Sequence, residues 1–232
     1  MFQIIDQTSD FVVVVKPAGI SVHKDQEDAG FTMMLQQQLD LDQIYLVHRL
    51  DKITSGLMVF AKSAEAAKIL ADQFKSREVS KYYLAISTNK PKRKQGLIMG
   101  DMEKARRGSW KLVKSRQNPA VTQFFSCSLK PGFRMFLLKP TTGKTHQIRV
   151  ALKSEGAPIL GDNTYGGETS DRTYLHAYSL AFSCGGERYT YKSCPEQGDQ
   201  FDQEALDIIK EHFDRPESLS WPKLPEKDKA QK

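Results

Sequence analysis

Four polar residues stand directly ahead of an apolar run in the stretch "HRLDKITSGLMVFAKS": His48, Arg49, Asp51 and Lys52. A carboxylate held at the edge of a core beside a cation can act as a nucleophile or stabilise a developing charge. An aspartate ahead of a turn can also cap a backbone amide, here that of Thr54 or Ser55. Capping accounts for Asp51 but requires neither Arg49 nor His48, so the residues alone leave both interpretations open.

A second polar cluster lies in the stretch "TTGKTHQIRV", residues 141–150. Its Gly-Lys-Thr triplet resembles part of a phosphate-binding loop, but that motif needs a glycine five residues before Gly143, where this chain has Leu138. The hydrogen-bonding side chains that remain are Lys144, His146, Gln147 and Arg149. They either lie exposed at the start of a helix or form a site in which Arg149 binds a carboxylate through two parallel hydrogen bonds.

Residue periodicity predicts the elements that carry these clusters. The β-branched run at residues 11–15 predicts a strand that ends at a Lys-Pro pair. Helical spacing predicts one helix over residues 31–39 and another over residues 63–75, with Ser63 as the N-cap of the second. None of these elements contains the second polar cluster. For that cluster, residues 146–154 are predicted as a short helix.

The stretch "KYYLAI" predicts a strand with two different faces. Tyr82, Leu84 and Ile86 share one face, which we expect to join the core. Lys81 and Tyr83 lie on the other face, and their side chains are expected to point away from the core.

Turn residues predict the remaining layout. Hairpins are expected around Pro131-Gly132 and around Gly185-Gly186. The pattern predicts an α+β fold in which a largely antiparallel mixed sheet is flanked by helices. We expect a single domain over residues 1–215 and a flexible C-terminal tail over residues 216–232.

The formal charge of +6 is concentrated in one segment. Residues 90–116 hold ten basic residues against two acidic ones, a net charge of +8, so the rest of the chain carries −2. Such a segment, predicted as an extended hairpin, is typical of a surface that binds a polyanion, although a solvated loop without a partner has the same composition. Three widely spaced cysteines predict reduced thiols rather than a metal site, and neither a membrane segment nor a secretory signal is evident.

Several motifs, taken together and in order, resemble those of the RluA-type pseudouridine synthases. The matching stretches are "VVKPAGISVH", "HRLDKITSGL", "KYYLAI", "GKTHQIRV", "GDNTYGG" and "YLHAYSL", which together run from about residue 13 to residue 180. The resemblance implies the pseudouridine synthase fold with a central catalytic cleft, and conversion of uridine in RNA to its C-glycoside isomer without a cofactor or metal. Many relatives carry an S4-type RNA-binding domain, which we do not expect here because the first motif comes so early.

The resemblance also implies roles for individual residues. Asp51 is expected to be the catalytic carboxylate, Arg149 its ion-pair partner, and Tyr83 the side chain that packs against the uracil and takes part in proton removal from C5. Arg49 is expected to fill the space left by a flipped-out uridine. Further contacts with the RNA are expected from His48, Thr54, Lys81, Lys144 and Gln147.

Two other functions are compatible with parts of this pattern: a non-catalytic RNA-binding or chaperone-like protein, and a uridine glycosidase that would release uracil. The sequence does not decide whether Asp51 attacks C1′ or the base ring, or whether the substrate is ribosomal or transfer RNA. We expect a cytoplasmic monomer.

Overall fold

The computed structural model describes residues 2–22 and 30–225. These residues form two compact units: unit 1 contains residues 2–22, 30–80 and 176–193, and unit 2 contains residues 81–175 and 194–225. The single domain over residues 1–215 stays a prediction. His23, the last residue of the first matching motif, lies outside the described residues.

The described residues form eleven strands and four α-helices. In chain order these are β1 (Gln3–Gln7), β2 (Phe11–Lys16), α1 (Phe31–Leu39), β3 (Tyr45–Leu46), β4 (Ser55–Ala61), α2 (Ala64–Ser76), β5 (Ser80–Ser87), β6 (Gln95–Lys104), β7 (Trp110–Val113), β8 (Ala120–Lys130), β9 (Phe133–Pro140), α3 (Gln147–Ser154), β10 (Leu175–Cys184), β11 (Glu187–Lys192) and α4 (Gln203–His212). Most strand pairs are antiparallel and β4–β10 is parallel, so the predicted α+β class with a mixed, largely antiparallel sheet is confirmed. No helix in the described part of the chain is long and apolar enough to cross a membrane.

Unit 1 is built around β4, which pairs with β2 on one side and with β3 and the start of β10 on the other. Helix α2 packs its Leu70 against Val13 and Val59 on one face of these strands, whereas Phe31 of α1 meets Phe60 on the other. The run that begins at Phe11 is therefore apolar without alternation, because both faces of its strand are covered.

The start of α2 follows the predicted capping pattern. Ser63 has extended backbone angles, and its hydroxyl accepts the N–H of Ala66 at 3.1 Å. Glu65 lies in the first turn, where a negative charge favours the helix dipole. Both local signals agree with the apolar spacing, which explains why this helix was predicted almost to its ends.

Unit 2 contains an antiparallel sheet in the order β5–β9–β8–β6–β7. Strands β8 and β9 form the predicted hairpin, and Gly132 in its turn has φ +81°, a conformation that favours glycine. Helix α3 packs against β7, β8 and β9, and α4 packs against β8.

The two faces of β5 differ as predicted. Tyr82, Leu84 and Ile86 are buried, whereas Lys81 and Tyr83 are only partly buried. Ala85 shares the Tyr83 face and is also buried, so the enclosed part of that face begins beyond Tyr83.

The chain after Pro216, where a flexible tail was predicted, contacts the rest of unit 2 through Trp221. The Trp221 ring lies 4.8 Å from the Phe125 ring and 5.7 Å from the Tyr82 ring, measured between centroids, and its Nε1 donates to the Pro216 carbonyl. Trp221 is partly buried, and such ring contacts stabilise the described part of the segment. Residues 226–232 of the predicted tail lie outside the described residues.

Candidate active site

The Asp51 turn leads directly into β4 of unit 1. The backbone carbonyl of Asp51 accepts the N–H of Thr54 at 3.0 Å, and Thr54 is buried. The side chain of Asp51 is partly buried. The turn is therefore closed by the main chain of Asp51.

A fully buried lysine, Lys16, supports the same turn. Its Nζ donates at 2.7, 2.9 and 3.3 Å to three backbone carbonyls, those of Pro17, Ile20 and Lys52. The Gly19 N–H also donates to the Lys52 carbonyl, at 2.8 Å. The loop after β2 is thereby tied to the residue next to Asp51. Sequence reasoning missed Lys16, although a lysine that ends a strand buried on both faces must have its ammonium hydrogen-bonded inside the protein.

His48 and Arg49, predicted to contact RNA, have different environments. The Nε2 atom of His48 accepts the N–H of Val59 at 3.0 Å, and the ring stacks on Phe74 with 4.4 Å between centroids. His48 therefore accepts the hydrogen bond of a backbone amide in β4, that of Val59, which favours a structural role. Arg49 is exposed, as a residue that inserts into RNA must be.

The parallel contact between β4 and β10 fixes the strand that follows the Asp51 turn. Ser55 Oγ and His176 Nδ1 are 2.8 Å apart, and His176 Nε2 lies 2.9 Å from the Ser193 carbonyl oxygen. Gly56 has φ +113°, and a Cβ added there would lie 2.3 Å from the Ala177 carbonyl oxygen. Only glycine fits at this position.

Lys81 and Tyr83 occupy the same face of β5 in unit 2, two residues apart. Desolvation by burial lowers the pKa of the Lys81 ammonium to about 8. A Cβ built on Gly143 would lie 3.9 Å from Lys81 Nζ, so this lysine reaches the loop that leads to α3. A lysine with such a pKa changes charge near physiological pH.

Arg149 of α3 forms a buried bidentate ion pair with Asp162. Its Nε donates to Asp162 Oδ2 at 2.7 Å and its Nη2 donates to Oδ1 at 2.9 Å. The two side chains are only 5% and 1% exposed. The guanidinium carbon also lies 4.9 Å from the centroid of the Tyr165 ring. The predicted bidentate carboxylate contact of Arg149 thus exists within unit 2, and its partner Asp162 was not among the predicted site residues.

His146 precedes α3 in a left-handed conformation, with φ 56° and ψ 18°. That conformation costs a non-glycine residue roughly 1–2 kcal/mol. His146 Nδ1 is 2.9 Å from the Tyr165 hydroxyl oxygen, which also accepts the N–H of Trp110 at 3.0 Å. The strained residue is therefore held through its side chain.

Gln147 was predicted to contact RNA, but its amide is committed to the protein. Its Oε1 accepts from Thr142 Oγ1 at 2.6 Å and from the Lys144 N–H at 3.0 Å. Its Nε2 donates at 3.0 Å to both the Val121 carbonyl and Thr122 Oγ1. An amide side chain accepts two bonds and donates two, so this geometry favours a role in shaping the loop. Lys144 itself is partly exposed.

The predicted site residues fall into both units. Unit 1 contains His48, Arg49, Asp51 and Thr54, and unit 2 contains Lys81, Tyr83, Lys144, Gln147 and Arg149. In unit 2, Lys81 and Tyr83 lie on β5, whereas Lys144, Gln147 and Arg149 lie on α3 and the loop before it. Joint action of Asp51 with Tyr83 and Arg149 stays a prediction.

The basic segment forms a hairpin made of β6, β7 and the turn between them, and we call residues 90–116 the basic hairpin. Its ten basic residues are all exposed. It is an ordered structure: Glu103 pairs with Lys111 across the strands, and Asp101 accepts the backbone amides of Gln117 and Asn118. These amide hydrogen bonds, that of Gln117 first, lower the pKa of the Asp101 carboxyl.

Among residues 2–22 and 30–225, no group of three or more His, Cys, Asp or Glu side chains could hold a metal ion. No disulfide joins the cysteines. The predicted site residues include the carboxylate of Asp51, the phenol of Tyr83, the lysines Lys81 and Lys144 and the paired arginine Arg149.

Comparison with known proteins identifies sequence relatives over most of the chain. Residues 10–154 match the profile of a family described as RNA pseudouridylate synthase. A Haemophilus influenzae protein described as an uncharacterized RNA pseudouridine synthase is 52% identical over 198 residues, which cover 84% of this chain and 88% of that protein. The ribosomal large subunit pseudouridine synthase D of Borreliella burgdorferi is 33% identical over 199 residues, but this chain covers only 61% of its length.

Solved structures are similar as well. Human RNA Pseudouridylate Synthase Domain Containing 1 matches with a TM-score of 0.71 and 25% identity over 84% of each chain. Human RNA Pseudouridylate Synthase Domain Containing 4 matches with a TM-score of 0.69 and 26% identity, over 89% of this chain and 92% of that one. The sequence and the fold therefore point to the same group of proteins.

Proposed function

The chain belongs to the RNA pseudouridylate synthase family, whose members isomerise uridine in RNA, and from that premise we propose that Asp51 is the nucleophile and that ribosomal or transfer RNA is the substrate. The predicted pseudouridine synthase fold is confirmed by the solved structures it resembles. The family match spans Asp51, Tyr83 and Arg149. The reaction breaks the bond from ribose C1′ to uracil N1, forms a bond from C1′ to C5, and expels the C5 hydrogen.

One observation carries the assignment of Asp51: its main chain is fixed directly ahead of the buried strand β4. The turn is closed by the Asp51 carbonyl and supported by the buried ammonium of Lys16 at the next residue. A nucleophile needs such a rigid backbone, because a misplaced reacting group loses much of its rate. The carboxylate attacks C1′ or the base ring in this proposal.

Arg149 is proposed to supply the positive charge that keeps Asp51 ionised while a base covers it. Its bidentate pair with Asp162, made through Nε and Nη2, holds the guanidinium in a fixed position and supports this role. Tyr83 is proposed to pack against the uracil ring and to take part in removal of the C5 proton. Its position on the partly buried face of β5 supports this role.

RNA binding is proposed to depend on exposed cations. Arg49 would occupy the space left by the flipped uridine, which offsets part of a cost of a few kcal/mol. Lys81 and Lys144 would bind phosphate or base oxygens close to the site, and the basic hairpin would bind phosphates at longer range. Ribosomal RNA is the first substrate to test, because the Borreliella burgdorferi relative is described as a ribosomal enzyme. We also propose that the protein acts in the cytoplasm as a monomer.

The direct test uses RNA labelled with tritium at uridine C5, taken from cells that lack this protein. We expect the wild-type chain to release tritium to water without releasing uracil, and Asp51→Asn to release none while still binding RNA. Asp10→Asn is the matched control, because Asp10 is another partly buried turn aspartate directly before a strand of unit 1. It should release tritium like wild type, and fractionating the RNA would then identify the substrate.

Other outcomes would exclude the proposal in different ways. Tritium release by Asp51→Asn at the wild-type rate would remove Asp51 from the mechanism. Free uracil together with abasic sites would indicate a glycosidase. RNA binding with no release from any fraction would indicate a non-catalytic RNA-binding protein.

A further inference from the structure

We propose that Asp162 and Tyr165 are positioning residues for Arg149, and that the Tyr165 hydroxyl links the support of Arg149 to strand β7 of the basic hairpin. The inference rests on the proposed role of Arg149 in catalysis. It adds a connection between the surface proposed to bind RNA and the arginine proposed to act on the catalytic carboxylate. Neither residue was singled out by the sequence motifs as a site residue.

Asp162 and Tyr165 together fix the guanidinium of Arg149 in position and in plane. The bidentate pair with Asp162 sets the direction of two of its nitrogens. The Tyr165 ring, 4.9 Å from the guanidinium carbon, restricts the group from one side. Both members of the ion pair are almost completely buried, so the arginine has few alternative rotamers. A guanidinium held in this way has a defined position and orientation.

The Tyr165 hydroxyl fixes the start of the helix that carries Arg149. It accepts the N–H of Trp110 in β7 and bonds to Nδ1 of His146, the left-handed residue directly before α3. The direction of the bond to His146 Nδ1 depends on the tautomer of the imidazole, because a phenolic hydroxyl can both donate and accept. Arg149 follows three residues after His146. A movement of β7 would therefore reach the first turn of α3 through one hydroxyl group.

Strand β7 is the last strand of the sheet order in unit 2 and belongs to the basic hairpin. The Lys104 ammonium lies 5.9 Å from the Trp110 ring on the paired strand. RNA phosphates bound by the hairpin would therefore exert force on β7, in which the Trp110 N–H donates to the Tyr165 hydroxyl. The role depends on the Tyr165 hydroxyl, because a phenylalanine would fill the same volume without making these hydrogen bonds.

The chain contains a matched control for a purely structural tyrosine. Tyr174 is also buried in unit 2, its hydroxyl donates to Asp171 and accepts the Gln200 N–H, and the Arg172 guanidinium lies 6.0 Å from its ring. It therefore loses comparable contacts when changed to phenylalanine. No residue proposed for catalysis is among these contacts.

The experiment compares Tyr165→Phe with Tyr174→Phe in the full chain, using 5-tritiated RNA under single-turnover conditions. We expect Tyr165→Phe to lower the rate at saturating enzyme about tenfold and to leave the RNA dissociation constant within about twofold. Tyr174→Phe should stay within about twofold of wild type in both. In an Arg149→Lys background, adding Tyr165→Phe should cause no further loss, because both changes act through one group. Asp162→Asn should behave like Tyr165→Phe, with Asp202→Asn as the control for a carboxylate of unit 2 that is paired with a cation outside the hairpin.

The outcomes separate this inference from the function on which it rests. A slow Arg149→Lys variant combined with a fast Tyr165→Phe variant would overturn the positioning role and leave the role of Arg149 intact. Equal rate losses in Tyr165→Phe and Tyr174→Phe, or losses that add to that of Arg149→Lys, would reduce Tyr165 to a stability residue and overturn the proposal. Wild-type rate in Arg149→Lys would overturn both.

Discussion

At the scale of single residues, hydrogen-bonding capacity separates structural polar groups from functional ones. Gln147 and His48 lie in motifs that suggest contact with substrate, yet all four bonds of the Gln147 amide and the Nε2 atom of His48 are used within the protein. By contrast, the turn ahead of β4 is closed by the main chain of Asp51, and Arg49 is exposed. A sequence motif cannot distinguish these cases, because it records residue type and not the partners that the fold provides.

Lys81 gives a prediction about pH at this scale. Burial lowers its pKa to about 8, so the side chain is cationic below pH 8 and neutral above it. If its charge binds RNA, the affinity should fall by about fivefold as the pH rises from 7 to 9. A loss of this size is what a single weak ion pair contributes. Titration of labelled RNA at both pH values measures this.

Lys81→Arg provides the control, because an arginine stays protonated across this range. Its affinity for RNA should therefore change less with pH than that of wild type, although ionisation of the uracil affects both proteins equally. Identical pH dependence in the two proteins would exclude Lys81 as the titrating group. Lys114→Arg on the exposed hairpin surface should leave the wild-type dependence in place.

At the scale of elements, local signals predicted most helices and strands, and the failures have physical causes. Helix α2 and the β8–β9 hairpin each have apolar periodicity and terminal residues that agree. The start of α3 depends on a left-handed histidine held by a distant tyrosine, which no local rule contains. The docking of Trp221 likewise depends on an apolar surface formed by two strands far away in the sequence.

The parallel contact of β4 with β10 predicts a severe effect for Gly56→Ala. The added Cβ would lie 2.3 Å from the Ala177 carbonyl oxygen, and φ +113° already disfavours any side chain. We expect a loss of about 4 kcal/mol or more in the free energy of unfolding, or failure to fold, because backbone atoms on both sides must move. Chemical denaturation followed by circular dichroism measures the difference.

Gly132→Ala separates the two causes of this loss. Gly132 also has positive φ, at +81°, but an added Cβ would meet nothing within 4 Å. Gly132→Ala should lower the free energy of unfolding by only about 1 kcal/mol, because only the positive φ opposes the added side chain. Similar losses in both variants would mean that β4 and β10 can separate to admit a methyl group, contrary to the tight pairing described here.

At the scale of the whole molecule, composition and motif order predicted the fold class and the family, whereas the supporting residues of the site were found only in three dimensions. Asp51, Tyr83 and Arg149 could be named because their motifs are short and contiguous. Lys16, Asp162 and Tyr165 act on them from other parts of the chain. They lie in the matching stretches "VVKPAGISVH" and "GDNTYGG", but a motif does not show which side chains its residues contact.

The uneven distribution of charge gives the last prediction. The basic hairpin carries a net charge of +8 while the rest of the chain sums to −2, so hairpin cations should dominate long-range attraction to RNA. Replacing Arg106, Arg107 and Lys114 by glutamine should weaken RNA binding at least tenfold near 0.15 M salt. It should also reduce the slope of log affinity against log salt by about 2, because each lost phosphate contact on a single strand contributes about 0.7.

A variant with the same loss of charge elsewhere makes the test specific. Lys68, Lys75 and Lys210 are exposed on α2 and α4, and replacing them by glutamine changes the net charge by the same amount. If position matters, this control should keep a slope close to that of wild type, whereas equal slopes in both triple variants would mean that only net charge matters. Because the hairpin is joined to the start of α3 through Tyr165, the hairpin variant should also slow the reaction at saturating enzyme, and the control should not.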